Sequence, residues 1–276
     1  MNPNLKQIEH WNGPFGQFWA SRHEINEFRL AHVHEALMAF AAPQPGSHVL
    51  DIGCGCGWTT LGLAEAVAPG KAVGLDVSAP MLETARLNAN AEKLDVDFIE
   101  ADASIYPFAS EFDLVFSRFG VMFFAHPVEA FANIRRAVRP GGRLAFVCWR
   151  AFAENPWTYV PFEAGRELCP PQPLQEPHAP GQFAFADGDR VRDILARAGF
   201  RNIRIERGDV PINLGADLDE AAAASLGTGT LSRAAADLDE ATRQKIRDRV
   251  RAALAPYATP DGVSPPGSCW LVGAEA

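Results

Sequence analysis

Between Val49 and Thr60 the chain reads VLDIGCGCGWTT: an apolar run bearing an acid, three glycines spaced two apart, and the opening of a helical pattern. A strand that turns into a helix through such a loop constrains the fold more than any other stretch. Gly53, Gly55 and Gly57 lack a Cβ, so main chain there can pass unusually close to a ligand. A diphosphate-binding loop of the G-x-G-x-x-G kind needs its third glycine at the sixth position, which here is Trp58. The spacing therefore suits a nucleoside without a diphosphate. Asp51, at the carboxyl end of the run, can accept hydrogen bonds from a ligand ammonium or from backbone, since an ionised carboxylate only accepts. A purely structural brace for the loop is the alternative.

Four more apolar runs follow, Ala72 to Leu75, Val96 to Ile99, Leu114 to Phe116 and Leu144 to Val147, each separated from the next by a helical window. Alternation of this kind implies a parallel sheet with helices on both faces. The second run closes on Asp76, near the distance at which an acid reads ribose hydroxyls in doubly wound folds. Asp76 could instead cap a helix, but Ser78 followed by Pro80 already supplies a helix start and leaves the carboxylate free. The third run closes on Asp102, whose carboxylate could accept from an adenine amino group; on its own it would be a turn residue.

These segments, with FDLVFSRFGVMFF and RRAVRPGGRLAFVCW after them, resemble the successive motifs of class I S-adenosylmethionine-dependent methyltransferases over roughly Pro45 to Arg150. Within that superfamily the stretch is similar to the branch holding the ubiquinone and menaquinone biosynthesis methyltransferases. The resemblance implies a doubly wound α/β fold, Rossmann-like, with a seven-stranded, mostly parallel sheet. Ser268 to Val272 would then form a last, antiparallel strand between the fifth and the sixth. It implies S-adenosyl-L-methionine as cofactor and S-adenosyl-L-homocysteine as product. The loop from Gly53 to Gly57, with Asp51, Cys54 and Thr59, would contact the methionine part and ribose. Asp76, Val77 and Met81 would lie at the ribose, Asp102 and Ala103 at the adenine, and Ser117 and Arg118 at the methionine end beside the transfer site.

Composition narrows the partners. A formal charge of −9 over 276 residues argues against broad binding to phosphate backbones, so nucleic acid is not expected. Met1 to Leu30 has no apolar core of a signal segment, and nowhere do eighteen apolar residues run together. The expectation is a cytoplasmic protein with no membrane span. Five scattered cysteines suit a reducing compartment better than a disulfide framework. Cys54 and Cys56 alone fall short of a zinc set, and no metal is expected.

Residues 1–43, with Trp11, Phe15, Phe18 and Trp19 followed by a helical stretch from about Glu27 to Ala41, read as an amino-terminal helical cover. Residues 44–276 form the methyltransferase domain. Seven prolines between Asn155 and Gln182 forbid one continuous helix there, so about 151–186 reads as a lid of loops and short helices, a decorative surface loop being the alternative. A helix over Asp187 to Gly199 and a strand over Asn202 to Glu206 follow. The alanine-rich helices from Ala216 would pack against another subunit in a homodimer.

Methyl transfer demands few catalytic side chains. The sulfonium methyl is already activated, so alignment and exclusion of water carry most of the reaction. A base helps where the acceptor is a hydroxyl, thiol or carbon acid. His126, beside Pro127 in the loop after the fourth strand, could serve, or could simply start a helix. His10 on the cover could act as base or donor, or stay in solvent. Arg118 could bind a carboxylate in bidentate fashion or join a structural ion pair. Trp149, Trp11, Trp19, Trp157, Phe119 and Phe123 suggest a small apolar or aromatic acceptor, although core packing explains aromatics as well. The competing functions are methylation of a protein or RNA, disfavoured by SRFG where amino-group enzymes carry an Asn/Asp-Pro-Pro-aromatic motif, and a non-methylating S-adenosylmethionine-binding protein.

Overall fold

A computed structural model describes residues 2–172 and 178–276, so residues 173–177 of the expected lid lie outside the described residues. The sheet is built from β1 (His48–Ile52), β2 (Lys71–Asp76), β3 (Asp97–Glu100), β4 (Phe112–Arg118), β5 (Val138–Trp149), β6 (Arg201–Pro211) and a late strand, β9 (Pro266–Glu275). Two short strands, β7 (Ala258–Thr259) and β8 (Gly262–Val263), pair separately as a hairpin. The order across the sheet is β3-β2-β1-β4-β5-β9-β6. Neighbours from β3 to β5 pair in parallel, and β9 runs antiparallel between β5 and β6 as expected.

The apolar runs mark the middle of each strand, and the ladders extend beyond them. β6 reaches Pro211, five residues past its expected end, because its outer positions are charged and exposed while β9 supplies hydrogen bonds along its whole length. Charged side chains on such an edge also discourage pairing with another chain.

Eleven helices accompany the described strands: α1 (Leu5–Asn12), α2 (Pro14–Ser21), α3 (His23–Ala41), α4 (Trp58–Val67), α5 (Ala79–Glu92), α6 (Pro127–Arg135), α7 (Pro156–Gly165), α8 (Gly188–Arg197), α9 (Leu218–Gly227), α10 (Gly229–Ala234) and α11 (Glu240–Leu254). Side-chain alternation sorts α3 and α6 to opposite faces of the sheet. Ala145 pairs with Gly273, where Phe40 of α3 lies against the glycine; the next pair, Phe146 with Val272, turns the Phe146 ring toward Phe131 of α6, 5.6 Å between centroids. Phe131, Phe146 and Phe185 are all fully buried there.

Helices α7, α9, α10 and α11 form a satellite layer after the sheet. Gly165 fits between Leu231 and Ile246, whose methyls a Cβ would meet at 2.8 and 2.9 Å. Ala221 and Ala222 are wholly buried inside this chain, while Ala223 beside them is exposed. Pro161 sits within α7, a helix of 10 residues, and further breaks follow it. The side chains of Asp187 and Asp217 accept backbone N–H groups at the starts of α8 and α9. Among the described residues no helix is long and apolar enough to cross a membrane.

Candidate cofactor site and its cover

The strand order reverses between β1 and β4, and in open α/β sheets ligands sit beyond the carboxyl ends of the strands at such a point. The glycine loop occupies that place. Gly53 has φ +69° and a Cβ on it would lie 2.6 Å from Gly120 Cα in the segment after β4, so backbone touches backbone there. Asp51 is fully buried beneath the loop. The hydroxyls of Thr59 and Thr60, in the first turn of α4, donate to its Oδ2 at 2.5 and 2.8 Å, while Oδ1 is buried with no donor among the described residues. Burial pushes the carboxyl up to about 6 against the opposing pull of those hydroxyls. The bracing reading of Asp51 is realised through Oδ2, and Oδ1 is left as an acceptor without a donor among the described residues.

Asp76 ends β2 and is less free than its sequence context suggests. Its Oδ2 accepts Gly55 N–H at 2.8 Å and its Oδ1 accepts Ser78 N–H at 2.9 Å. Ser78 does not cap α5 with its hydroxyl, which instead donates to the carbonyl of Trp11 at 2.7 Å. The carboxylate takes over the local bracing, and each oxygen keeps a second lone pair for a hydroxyl. Burial raises its pKa. Asp102, 8 % exposed, accepts Ser104 N–H and the amide of Asn4 on Oδ1, whereas Oδ2 is buried with no partner among the described residues.

Ser117 and Arg118 diverge at the end of β4. The Ser117 hydroxyl donates to Ile52 C=O at 2.7 Å and accepts Gly120 N–H at 3.2 Å, tying β4 to β1. Arg118 Nη2 donates to Glu27 Oε1 of α3 at 2.6 Å, so the ion-pair reading is realised. Yet Arg118 Nη1 and Glu27 Oε2 remain buried without partners among the described residues. Glu27 carried no signal in sequence beyond its helical position.

The side chains of Cys54 and Thr59 both pack inward, Thr59 onto Asp51. The Cys54 sulfur would lie 2.9 Å from a Cβ on Gly74, packed against β2, and burial drives its thiol well up. Cys56 is pushed up to about 12 by burial first and by the charges of Glu27 and Asp76. Met81 Cε closes on Gly55, where a Cβ would meet it at 2.8 Å. The Val77 carbonyl accepts the Asn12 amide, and the Ala103 carbonyl accepts that of Asn133.

The amino-terminal helices are sewn to this rim. Asn4, at the start of α1, sends its amide to Asp102 and Ser104 and accepts Ala125 N–H at 2.8 Å, so it does not cap its own helix. Asn12 accepts Ala79 N–H at 2.9 Å. Trp11 meets Phe123 edge to face at 5.3 Å. His10 stacks on Phe15 with 4.4 Å between centroids, and burial, then the charge of Arg233, lowers its pKa. His126 is exposed at the start of α6 beside Pro127, the helix-start geometry. Trp149 is buried between Phe119, stacked at 4.3 Å, and Trp157 at 5.0 Å; core packing accounts for it. Arg150 is likewise taken, paired with Asp209 and Glu154.

The strand order, with an antiparallel strand between the fifth and sixth, is that of an α/β protein of the methyltransferase type. The sequence profile described as "Methyltransferase domain" matches residues 49–142. The demethylmenaquinone methyltransferase of Lactococcus lactis subsp. lactis (strain IL1403) is 35% identical over 177 residues, 59% of this chain and 69% of that protein. The ubiquinone/menaquinone biosynthesis C-methyltransferase of Ruegeria sp. (strain TM1040) is 33% identical over 133 residues, 45% of this chain and 53% of that protein. The solved YcgJ protein of Bacillus superposes with TM-score 0.57 at 16% identity, covering 88% of this chain and 97% of that one. The chain spans about half the length of the first curated relatives it matches. It belongs to the class I S-adenosylmethionine-dependent methyltransferases, with S-adenosylmethionine as cofactor.

Proposed function

We propose that this chain methylates a small apolar or aromatic molecule held between the carboxyl edge of its sheet and the helices α1 to α3. The observation that carries the reading is the set of buried, unpartnered polar atoms around the glycine loop: Asp51 Oδ1, Glu27 Oε2, Arg118 Nη1 and Asp102 Oδ2. Three acceptors and one donor suit an amino-acid zwitterion at one end and an adenine amino group at the other. Asp51 and Glu27 would hold the ammonium, Arg118 the carboxylate, Asp76 the ribose hydroxyls, and Asp102 the adenine. The main chain from Gly53 to Gly57 would lie along the ligand, where any Cβ would intrude.

Bound there, the cofactor supplies an electrophilic methyl on a sulfonium. The protein's own work is to orient and to keep water out. Residues 1–43 form the cover in this reading: Asn4 and Asn12 clamp α1 to the rim, and Trp11 closes against Phe123. The described parts of residues 151–186 would flank the acceptor as a lid; Gly181 N–H already donates to the Met122 carbonyl beyond β4. His10 is the favoured proton acceptor, since its lowered pKa keeps the ring neutral near pH 7. His126, exposed at its helix start, is the lesser candidate. The names of the relatives, in quinone biosynthesis, support an aromatic acceptor.

Calorimetric titration with S-adenosylmethionine and S-adenosylhomocysteine, followed by product detection against phenols, quinols, thiols and amines, tests this. Binding with formation of S-adenosylhomocysteine and a methylated product is expected. Binding of both without turnover on any acceptor, or no binding, overturns the reading. His10→Ala should lower turnover at least tenfold with cofactor affinity unchanged; equal turnover removes His10 as the base.

A further inference from the structure

A second group of unpartnered donors lies elsewhere on α3. Asn26 and Arg29, three apart, share one helix face, and Glu27 points off it. Both are nine-tenths buried or more, at 4 % and 7 % exposed. Arg29 Nη1 donates to Thr228 Oγ1 at 2.6 Å, but Arg29 Nε and Asn26 Nδ2 have no acceptor among the described residues. Arg22, one turn earlier and exposed, comes to the same place: its Nη1 lies 3.4 Å from where a Cβ would stand on Gly227, the residue before Thr228. Two guanidinium groups thus converge on the junction between α9 and α10.

No carboxylate among the described residues compensates them. The charge felt by Arg29 is that of Arg22, and burial followed by this repulsion pulls the guanidinium down to about 10. A buried cation without a counter-charge costs several kcal/mol, which a fold tolerates where a ligand supplies the missing charge. Thr228, the partner of Arg29, also lines a cavity of about 10 Å³ together with Trp157, Thr158 and Ser225. That is room for roughly one water or one ligand oxygen. Its wall continues through Trp157 to Trp149 and Phe119, the aromatic ladder that starts at the end of β4. Arg233, one turn along α10 from Gly229, carries positive charge onward to His10 on the cover.

We propose that Arg22, Asn26 and Arg29 form an oxyanion subsite, and that the methyl acceptor seats a carboxylate there. The site offers N–H donors and positive charge, and the planar fork of arginine matches two oxygens of a carboxylate or phosphate. The acceptor assignment rests on the methyltransferase reading above; the anion site itself does not.

Thermal shift and calorimetry on the full chain test it with three probes: benzoate, inorganic phosphate, and benzyl alcohol as a neutral aromatic. Benzoate is expected to bind the wild type and to lose at least tenfold in Arg29→Gln and in Arg22→Ala, with benzyl alcohol indifferent to both changes. Phosphate binding with the same losses, and no benzoate binding, supports the oxyanion site but overturns the acceptor carboxylate as its source. Failure of both anions to bind, or equal binding to wild type and variants, overturns the site. Arg22 is exposed, so Arg22→Ala keeps the test valid if Arg29→Gln does not fold. Titration with S-adenosylhomocysteine separates the two readings: its binding without anion binding sinks the subsite alone, and anion binding without it sinks the methyltransferase reading alone.

Discussion

Asp51 is a carboxylate held half in use. Its folded pKa of about 6 lies above the ordinary 3.8, so between those values the native state keeps a proton that the unfolded chain has released. Its contribution to stability is fully present below about pH 3.8 and is lost as pH rises through 6, a difference of about 3 kcal/mol. Asp51→Asn is therefore expected to flatten the decline of melting temperature between pH 4 and 7, checked by thermal denaturation across that range. A ligand ammonium would need the ionised form. S-adenosylhomocysteine affinity should accordingly climb through about pH 6 in the wild type and stay flat and weak in Asp51→Asn; a pH-independent wild-type affinity would detach Asp51 from the ammonium. Asp76→Ala is expected to weaken the same ligand by about 1.5–3 kcal/mol, the worth of hydrogen bonds to a charged group. Because Asp76 also fixes Gly55 and Ser78, calorimetry must be paired with a circular dichroism spectrum that matches the wild type. An unchanged affinity in a folded variant takes Asp76 out of ribose binding.

Among the elements, α1 and α2 depend on a single small residue. A Cβ on Gly16 would fall 1.8 Å from the Trp11 carbonyl, whose oxygen also accepts the Ser78 hydroxyl. Gly16→Ala cannot be absorbed by a rotamer change, since the obstacle is backbone. The expected result is release of α1 from the rim, read as faster proteolytic cutting within the first 22 residues while the sheet resists; a cutting pattern like that of the wild type would show the helices adjusting without undocking. Element existence was legible in the sequence wherever apolar period spoke clearly: five strand centres, the helix after Asp187 and the strand over Ser268 to Val272, whose antiparallel direction only the family resemblance implied. Boundaries were less so, because β6 continues through charged residues that only the β9 ladder holds in place. The β7–β8 hairpin left no signal, having two residues a side.

At the scale of the whole molecule, one aromatic cluster joins the sheet to the helices on one face. Phe131 lies within 5.6 to 6.5 Å of the rings of Phe146, Phe185 and Phe200. Phe131→Ala is expected to cost about 3–5 kcal/mol in urea unfolding, as a lower midpoint at unchanged slope; a loss under about 1 kcal/mol would mean the surroundings collapse into the gap. The candidate site shows the same division between what pattern reveals and what it conceals. Asp51, Asp76 and Asp102 stood out because each lies at or just beyond the carboxyl end of a strand. Glu27 and Asn4 did not, since their partners Arg118 and Asp102 lie 91 and 98 residues away and no local spacing records the meeting. Arg29 and Asn26 were hidden likewise inside an ordinary helical run.

The hold of Asn4 on Ala125 also orders events in time. The two are 121 residues apart, so at a synthesis rate of about 5–20 residues per second the first helix waits roughly 5–25 s before its partner is made. The roof of the crevice is translated first and can be seated only after the floor exists. During that interval Trp11 lacks Phe123, and the aromatic side chains of the roof can rest only on one another and, once it is made, on the start of α5.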